Sequence, residues 1–225
     1  MKKLVILFGV AMMLLTSCAK EDSANVEQDS IYSIYTLVYK QKEAKTTASA
    51  TFRFGGATGT LLELKDPASA TFESDLLLYN GLTGEHKKEY AGIVKSGSFM
   101  YTNTDGNVYK NTTRVMDTIA FPTIDTIDAS MAYDFSWVGN PLASGETISL
   151  TIDGTQQQNF EIFSTIVPAK TNLILGTDKL QKLGHGLATC VLRREHNRFT
   201  VDEGTSKGGR MAVVYTTEKQ VFIKQ

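Results

Sequence analysis

An all-β fold, arranged as two tandem immunoglobulin-like sandwiches, is predicted by three features of the 225-residue chain. Threonine occurs 27 times, and its branched side chain suits a pleated, half-buried surface better than a helix. Apolar residues recur in short runs of period two, the pattern of strands with one buried face. Turn residues separate those runs so closely that no connection has room for the crossover helix of a parallel α/β sheet.

Residues 1–17 precede the β-rich part. Lys2 and Lys3 supply a short basic region, Leu4 to Leu15 form an apolar run of twelve residues, and Thr16 and Ser17 are small. This is the layout of a secretory signal peptide, and the run falls short of the roughly 20 residues that cross a bilayer as a helix. The junction Leu15-Thr16-Ser17-Cys18 resembles the bacterial lipobox, which implies cleavage before Cys18 and anchoring through lipid chains on that residue. Cys18 followed by Ala19, Lys20, Glu21 and Asp22 resembles the surface-export signal of Bacteroidota lipoproteins. Lys20, Glu21 and Asp22 would be the signal, and the outer leaflet of the outer membrane the destination. Residues 18–30 lack periodicity and read as a lipidated, flexible tether. Asp22-Ser23-Ala24, Asp29-Ser30-Ile31, Asp117-Thr118-Ile119 and Asp125-Thr126-Ile127 are similar to the O-glycosylation consensus of secreted proteins of the same bacteria. Ser23, Ser30, Thr118 and Thr126 are therefore candidate attachment points, although 12 Asp residues give about one such match by chance.

The first sandwich is assigned to 31–125. A strand over 31–39 shifts its apolar set from even positions (Tyr32, Ile34) to odd ones (Tyr35, Leu37, Tyr39), as a bulge or an edge would require. Ala48, Ala50, Phe52 and Phe54 alternate with Ser49, Thr51 and Arg53, and Gly55-Gly56 ends that strand. Strands follow over 61–64, 71–79, 90–94, 98–102 and 107–115. Asp105-Gly106 is the sharpest hairpin signal, because the pair tolerates the positive φ of a tight primed turn.

The second sandwich takes 126–225. Met131, Tyr133, Phe135 and Trp137 share one face of a strand that Gly139-Asn140-Pro141 breaks. Ile148, Leu150 and Ile152 alternate with Thr147, Ser149 and Thr151 until Asp153-Gly154 turns the chain. Strands over 160–167 and 173–175 come next. A helix of one or two turns over 177–183 has Asp178 in its first turn and Gly184 after its end. Strands over 187–194, 211–216 and 221–223 bring each half to about seven, the count of an immunoglobulin-like sandwich. One continuous sandwich of the whole length is the alternative.

The stretches ATFRFGGATGTLLELKDPASATFESDLLLY, FSWVGNPLASGETISLTIDG and TDKLQKLGHGLATCVLRR resemble a group of Bacteroidota lipoproteins of uncharacterised function. The resemblance implies an outer-membrane location and the sandwich fold, and it brings no catalytic residue with it.

Composition narrows the function classes. Lys+Arg 23 against Asp+Glu 24 gives a net charge of −1, which becomes −3 once Lys2 and Lys3 leave with the leader. That balance offers no electrostatic case for nucleic acid. With Cys18 acylated, Cys190 has no disulfide partner, and alternation places it beside Ala188 and Leu192 as a small buried hydrophobe. Arg193, Arg194, Arg198 and His196 read as a solvated strand end. His86, His185 and His196 have no metal-binding spacing, and His185 between two glycines reads as a turn residue. Residues 205–209 lack the glycine spacing of a phosphate loop and read as a flexible turn. The adjacent carboxylates Glu21-Asp22 and Asp202-Glu203 lie in polar segments.

No catalytic residue, metal or cofactor is assigned. The expectation is a lipid-anchored surface protein with a non-catalytic structural, adhesive or protein-binding role; the alternative is a glycan-binding accessory lipoprotein. Its partners would be the membrane, through the lipid, and a protein or glycan ligand. Rows of exposed aromatics would mark the glycan reading, with Tyr101 and Tyr109 better placed than Trp137, whose neighbours Tyr133 and Phe135 put it in the core. An exposed apolar patch or edge strand would mark the protein reading.

Overall fold

The computed structural model describes residues 20–155 and 159–225. The leader and Cys18 lie outside the described residues. The first half contributes β1 (Lys20–Asp22), β2 (Ile31–Lys40), β3 (Lys45–Phe54), β4 (Thr60–Glu63), β5 (Ser69–Phe72), β6 (Asp75–Leu76), β7 (Leu78–Asn80), β8 (Glu85–Ala91), β9 (Ser98–Thr102) and β10 (Val108–Thr112). β2 and β3 form an antiparallel ribbon in which Tyr35 faces Ala50 and Leu37 faces Ala48. Over this ribbon lies a second layer in the order β10-β9-β5-β6. The layers meet through aromatic rings: Tyr35 stacks on Phe99 at 5.0 Å, and Phe52 lies 4.5 Å from Tyr101.

Several expectations shift in this half. β2 keeps one buried face throughout (Ile31, Ser33, Tyr35, Leu37), with Tyr32 and Ile34 on the half-covered outer face. The inward Ser33 is what made the pattern look like a change of face. The expected strand over 71–79 breaks at Glu73 and Ser74, which have φ of 48° and 73°. A polar segment, Glu85–Ala91, forms β8, with only its second residue, His86, fully buried; alternation placed a strand at 90–94 instead. The hairpin at Asp105-Gly106 forms, but with Thr102 opposite Val108 its loop has five residues, organised by Asn103 Oδ1 accepting from the Asp105 and Asn107 amides.

The second half contributes β11 (Ile119–Ala120), β12 (Thr126–Asp128), β13 (Tyr133–Ser136), β14 (Val138–Gly139), β15 (Glu146–Asp153), β16 (Phe160–Thr165), β17 (Asn172–Leu175), α1 (Thr177–Leu180), β18 (Gly186–Arg198) and β19 (Gly209–Lys224). The expected short helix is present, with Leu180 and Leu183 buried and a 3-10 turn, Gln181–Leu183, completing it. β19 is one long strand where the sequence suggests two. Its polar stretch Thr217 to Gln220 is carried through by pairing with Leu192 to Thr189 of β18.

β19 also runs parallel to β2, from Gly209 opposite Ser33 to Thr216 opposite Lys40. The large sheet therefore follows the order β1-β4-β3-β2-β19-β18-β15-β16 and crosses the expected boundary at 125/126. The halves 31–125 and 126–225 share this sheet, and one core cluster holds Tyr35 and Phe99 together with Phe135, Ile148 and Leu192. The all-β class stands, and the two halves are joined where β2 pairs with β19. Local alternation reports which face of a strand is buried, not which distant strand lies beside it.

Most of the segment expected as a flexible tether is ordered. From Lys20 onward it is folded: β1 pairs in parallel with β4, and the two 3-10 turns Ser23–Asn25 and Gln28–Ser30 lead into β2. Gln28 is buried, donating to the Ser23 and Val26 carbonyls and accepting from the Thr104 amide. Backbone pairing and internal amides order this polar segment without the apolar periodicity that a sequence reading relies on.

Candidate functional site

β16 ends the large sheet. It pairs with β15 on one side, and its other edge faces β17, whose own partner is β13. Among the described residues each strand has one paired side only, and both line a groove of about 480 Å³ with Ile162, Ser164, Asn172, Ile174, Asp178 and Lys179 among its walls. The local sequence explains the opening. Phe163 of β16 and Leu173 and Leu175 of β17 are committed to the core. The intervening Ile162 and Ile174 then point away from it, and Ile174 is 61% exposed. Phe160, Ile166 and Val167 extend the exposed apolar surface along the edge.

One side chain occupies this edge. Lys179 of α1 donates from Nζ to the Ile162 carbonyl at 2.8 Å and lies 3.5 Å from Glu161. Lys182 is 3.7 Å from the same carboxylate. A lysine laid on a free strand edge is a common protection against uncontrolled strand pairing. Among the described residues that protection is a partly exposed ammonium group rather than a paired strand.

The residues singled out from the sequence are dispersed. Lys20, Glu21 and Asp22 form β1, and Asp22 accepts from the Ala24 amide at 3.0 Å. Ser23 is fully buried with its Oγ accepting from the Lys65 amide, so it is not presented for glycosylation. Ser30 is half-buried and donates to Glu27, while Thr118 and Thr126 are exposed. Trp137 is in the core as expected, its Nε1 donating to the Asn140 carbonyl. Tyr101 is buried and stacks on the half-buried Tyr109, so this pair makes no exposed platform.

The basic cluster at the end of β18 is not a solvated strand end throughout. Arg194 is 2% exposed and lies 2.5 Å from Glu146 of β15, itself 4% exposed. It also donates to the Asn140 and Pro141 carbonyls. Asp117 and Arg114 continue the network outward, with Arg114 3.2 Å from Asp117 and 3.5 Å from Glu146. Desolvation, reinforced by Arg114, holds the His196 imidazole below its usual pKa. Arg198 pairs bidentately with Asp202 at 2.8 and 3.0 Å. Glu146 carried no sequence signal, because its partner lies 48 residues away in the chain. The turn over 205–209 is pinned rather than free: Thr205 donates to the Ile31 carbonyl, and the Ser206 amide and hydroxyl both donate to Asp29.

Burial shifts two of the side chains weighed in the sequence. Burial pushes the Cys190 thiol up to about 12 and keeps it protonated. Burial pushes the His86 imidazole down to about 4, with Nε2 accepting from the Leu64 amide. Among the described residues no group of His, Cys, Asp and Glu could hold a metal ion, and no helix is long and apolar enough to cross a membrane.

No family model and no curated protein matches the chain. Among solved structures, one match is a chain described as giving structural insight into host cell surface retention of a 1.5-MDa bacterial ice-binding adhesin. The identity is 17% and the TM-score 0.26 over 86% of this chain, which spans 65% of the length of that one.

Proposed function

We propose that the chain is a non-catalytic, lipid-anchored protein of the outer-membrane surface that holds a partner protein by accepting an extended segment at the β16 groove. The observation that carries the binding reading is the edge of β16 left unpaired among the described residues, with Phe160 and Ile162 exposed on one of its faces and β17 across the groove. An added strand would satisfy outward-facing amide and carbonyl groups and cover Ile162 and Ile174, the usual logic of strand addition. The anchoring reading is supported by the leader and by Cys18 at the lipobox-like junction.

A photo-crosslinking amino acid placed at position 162 or 174 on intact cells tests the binding reading. We expect adducts to a protein at both positions, lost when the second position carries Ile162→Lys or Ile174→Lys. Adducts no more frequent than at Thr36, on the outer face of β2, would overturn it. Metabolic labelling with an alkyne fatty acid, compared with Cys18→Ser, and protease shaving of intact cells test anchoring and display.

A further inference from the structure

Part of the exposed apolar surface of the first half lies beside the first described residue, Lys20. Leu82, at the tip of the β7–β8 turn, is 95% exposed, and Leu76 and Leu78 just before it are exposed as well. The Lys20 ammonium donates to the Gly81 carbonyl and sits 5.7 Å from the centre of the Tyr79 ring. Gly84 packs close to Leu61, which pairs with Lys20. The turn and the first residue of β1 are therefore held together by direct contacts.

We infer that the β7–β8 turn is a membrane-contacting element, inserting Leu82 into the lipid surface beside the anchor, and that the body stands on this end with the β16 groove held away from the bilayer. The inference rests on the proposed acylation of Cys18. Two residues of chain reach at most about 7 Å, so lipid chains on Cys18 bring the bilayer surface to the β1 edge. An apolar tip with a cationic group beside it, here Lys20 at the Gly81 carbonyl, fits the interface between acyl chains and headgroups. The occupant is thus a phospholipid surface. The sheet order supplies the second half of the argument: β1 and β16 are its two ends, seven strand spacings apart. At about 4.8 Å each, that is roughly 34 Å along the sheet. Contact at one end leaves the other accessible.

The test uses the full acylated protein in vesicles of phosphatidylethanolamine and phosphatidylglycerol containing brominated lipid. Leu82→Trp and Ile174→Trp are compared after subtracting the signal of buried Trp137. Both positions are exposed, so neither substitution disturbs the core. We expect the tryptophan at 82 to lose about half its emission and the one at 174 to be unchanged, as burial in the interface predicts. Equal quenching at the two positions, or none at 82 in protein shown by mass to be acylated, would overturn the membrane contact while leaving the anchor intact. Protein purified from cells with an unmodified Cys18 would overturn the anchor and the contact together.

Discussion

His86 is the residue whose protonation the fold opposes most clearly. It is 3% exposed, lies edge-on to Phe52, and uses Nε2 as an acceptor for the Leu64 amide. Its folded pKa of about 4 is below the ordinary 6.5, so protonation favours the unfolded chain. The stabilising effect of the neutral ring is whole above pH 6.5 and is lost as the pH falls toward 4. The lost stability is on the order of 3 kcal/mol. Urea midpoints measured across that window should fall steeply for the native chain and less steeply for His86→Gln; parallel curves would show that another group titrates. Arg194 is a different case, since its burial is matched by Glu146 and two carbonyls around its guanidinium. Arginine next to a strand end reads as solvated in the sequence, and only the opposing carboxylate makes burial tolerable.

Among the elements, β16 is the strand at which the large sheet ends beside an apolar groove. Among the described residues its free edge carries a charged side chain and no paired strand, and Lys179 belongs to a four-residue helix whose Leu180 is buried. Lys179→Ala exposes the Ile162 carbonyl beside an apolar groove. Its sedimentation coefficient should rise with concentration more than that of the native chain, and Ile162→Lys in the same background should reverse the rise. Identical sedimentation of the single variant and the native chain would remove Lys179 as a barrier to pairing. β8 shows the opposite relation between sequence and structure. Its residues are mostly polar, yet it pairs with β3 from Lys45 opposite Ala91 to Ala50 opposite His86. A strand with a single fully buried side chain has no period to detect.

At the scale of the whole molecule, the parallel pairing of β2 and β19 ties the first strand after the 3-10 turns to the last strand of the chain. Contacts from the β18–β19 loop strengthen this tie, with the Asp202 and Glu203 amides donating to Asn111 and Thr205 to Ile31. Unfolding should therefore be one cooperative transition, coincident by tryptophan emission near Trp137 and by far-ultraviolet dichroism over both halves. Two separated transitions would instead make 31–125 and 126–225 independent units. The sequence by itself determined the β class, the buried faces of strands such as β3 and β15, the short helix, and the core placement of Trp137 and Cys190. Each of these depends on the spacing of apolar residues within a few positions, which the chain carries locally. Only the tertiary structure decided that the two halves share a sheet, that Lys20–Asp22 is a strand, that Arg194 meets Glu146, and that the unpaired edge and the Leu82 turn lie at opposite ends. Those outcomes depend on hydrogen bonds and contacts between residues far apart in the chain, which have no signature in local periodicity.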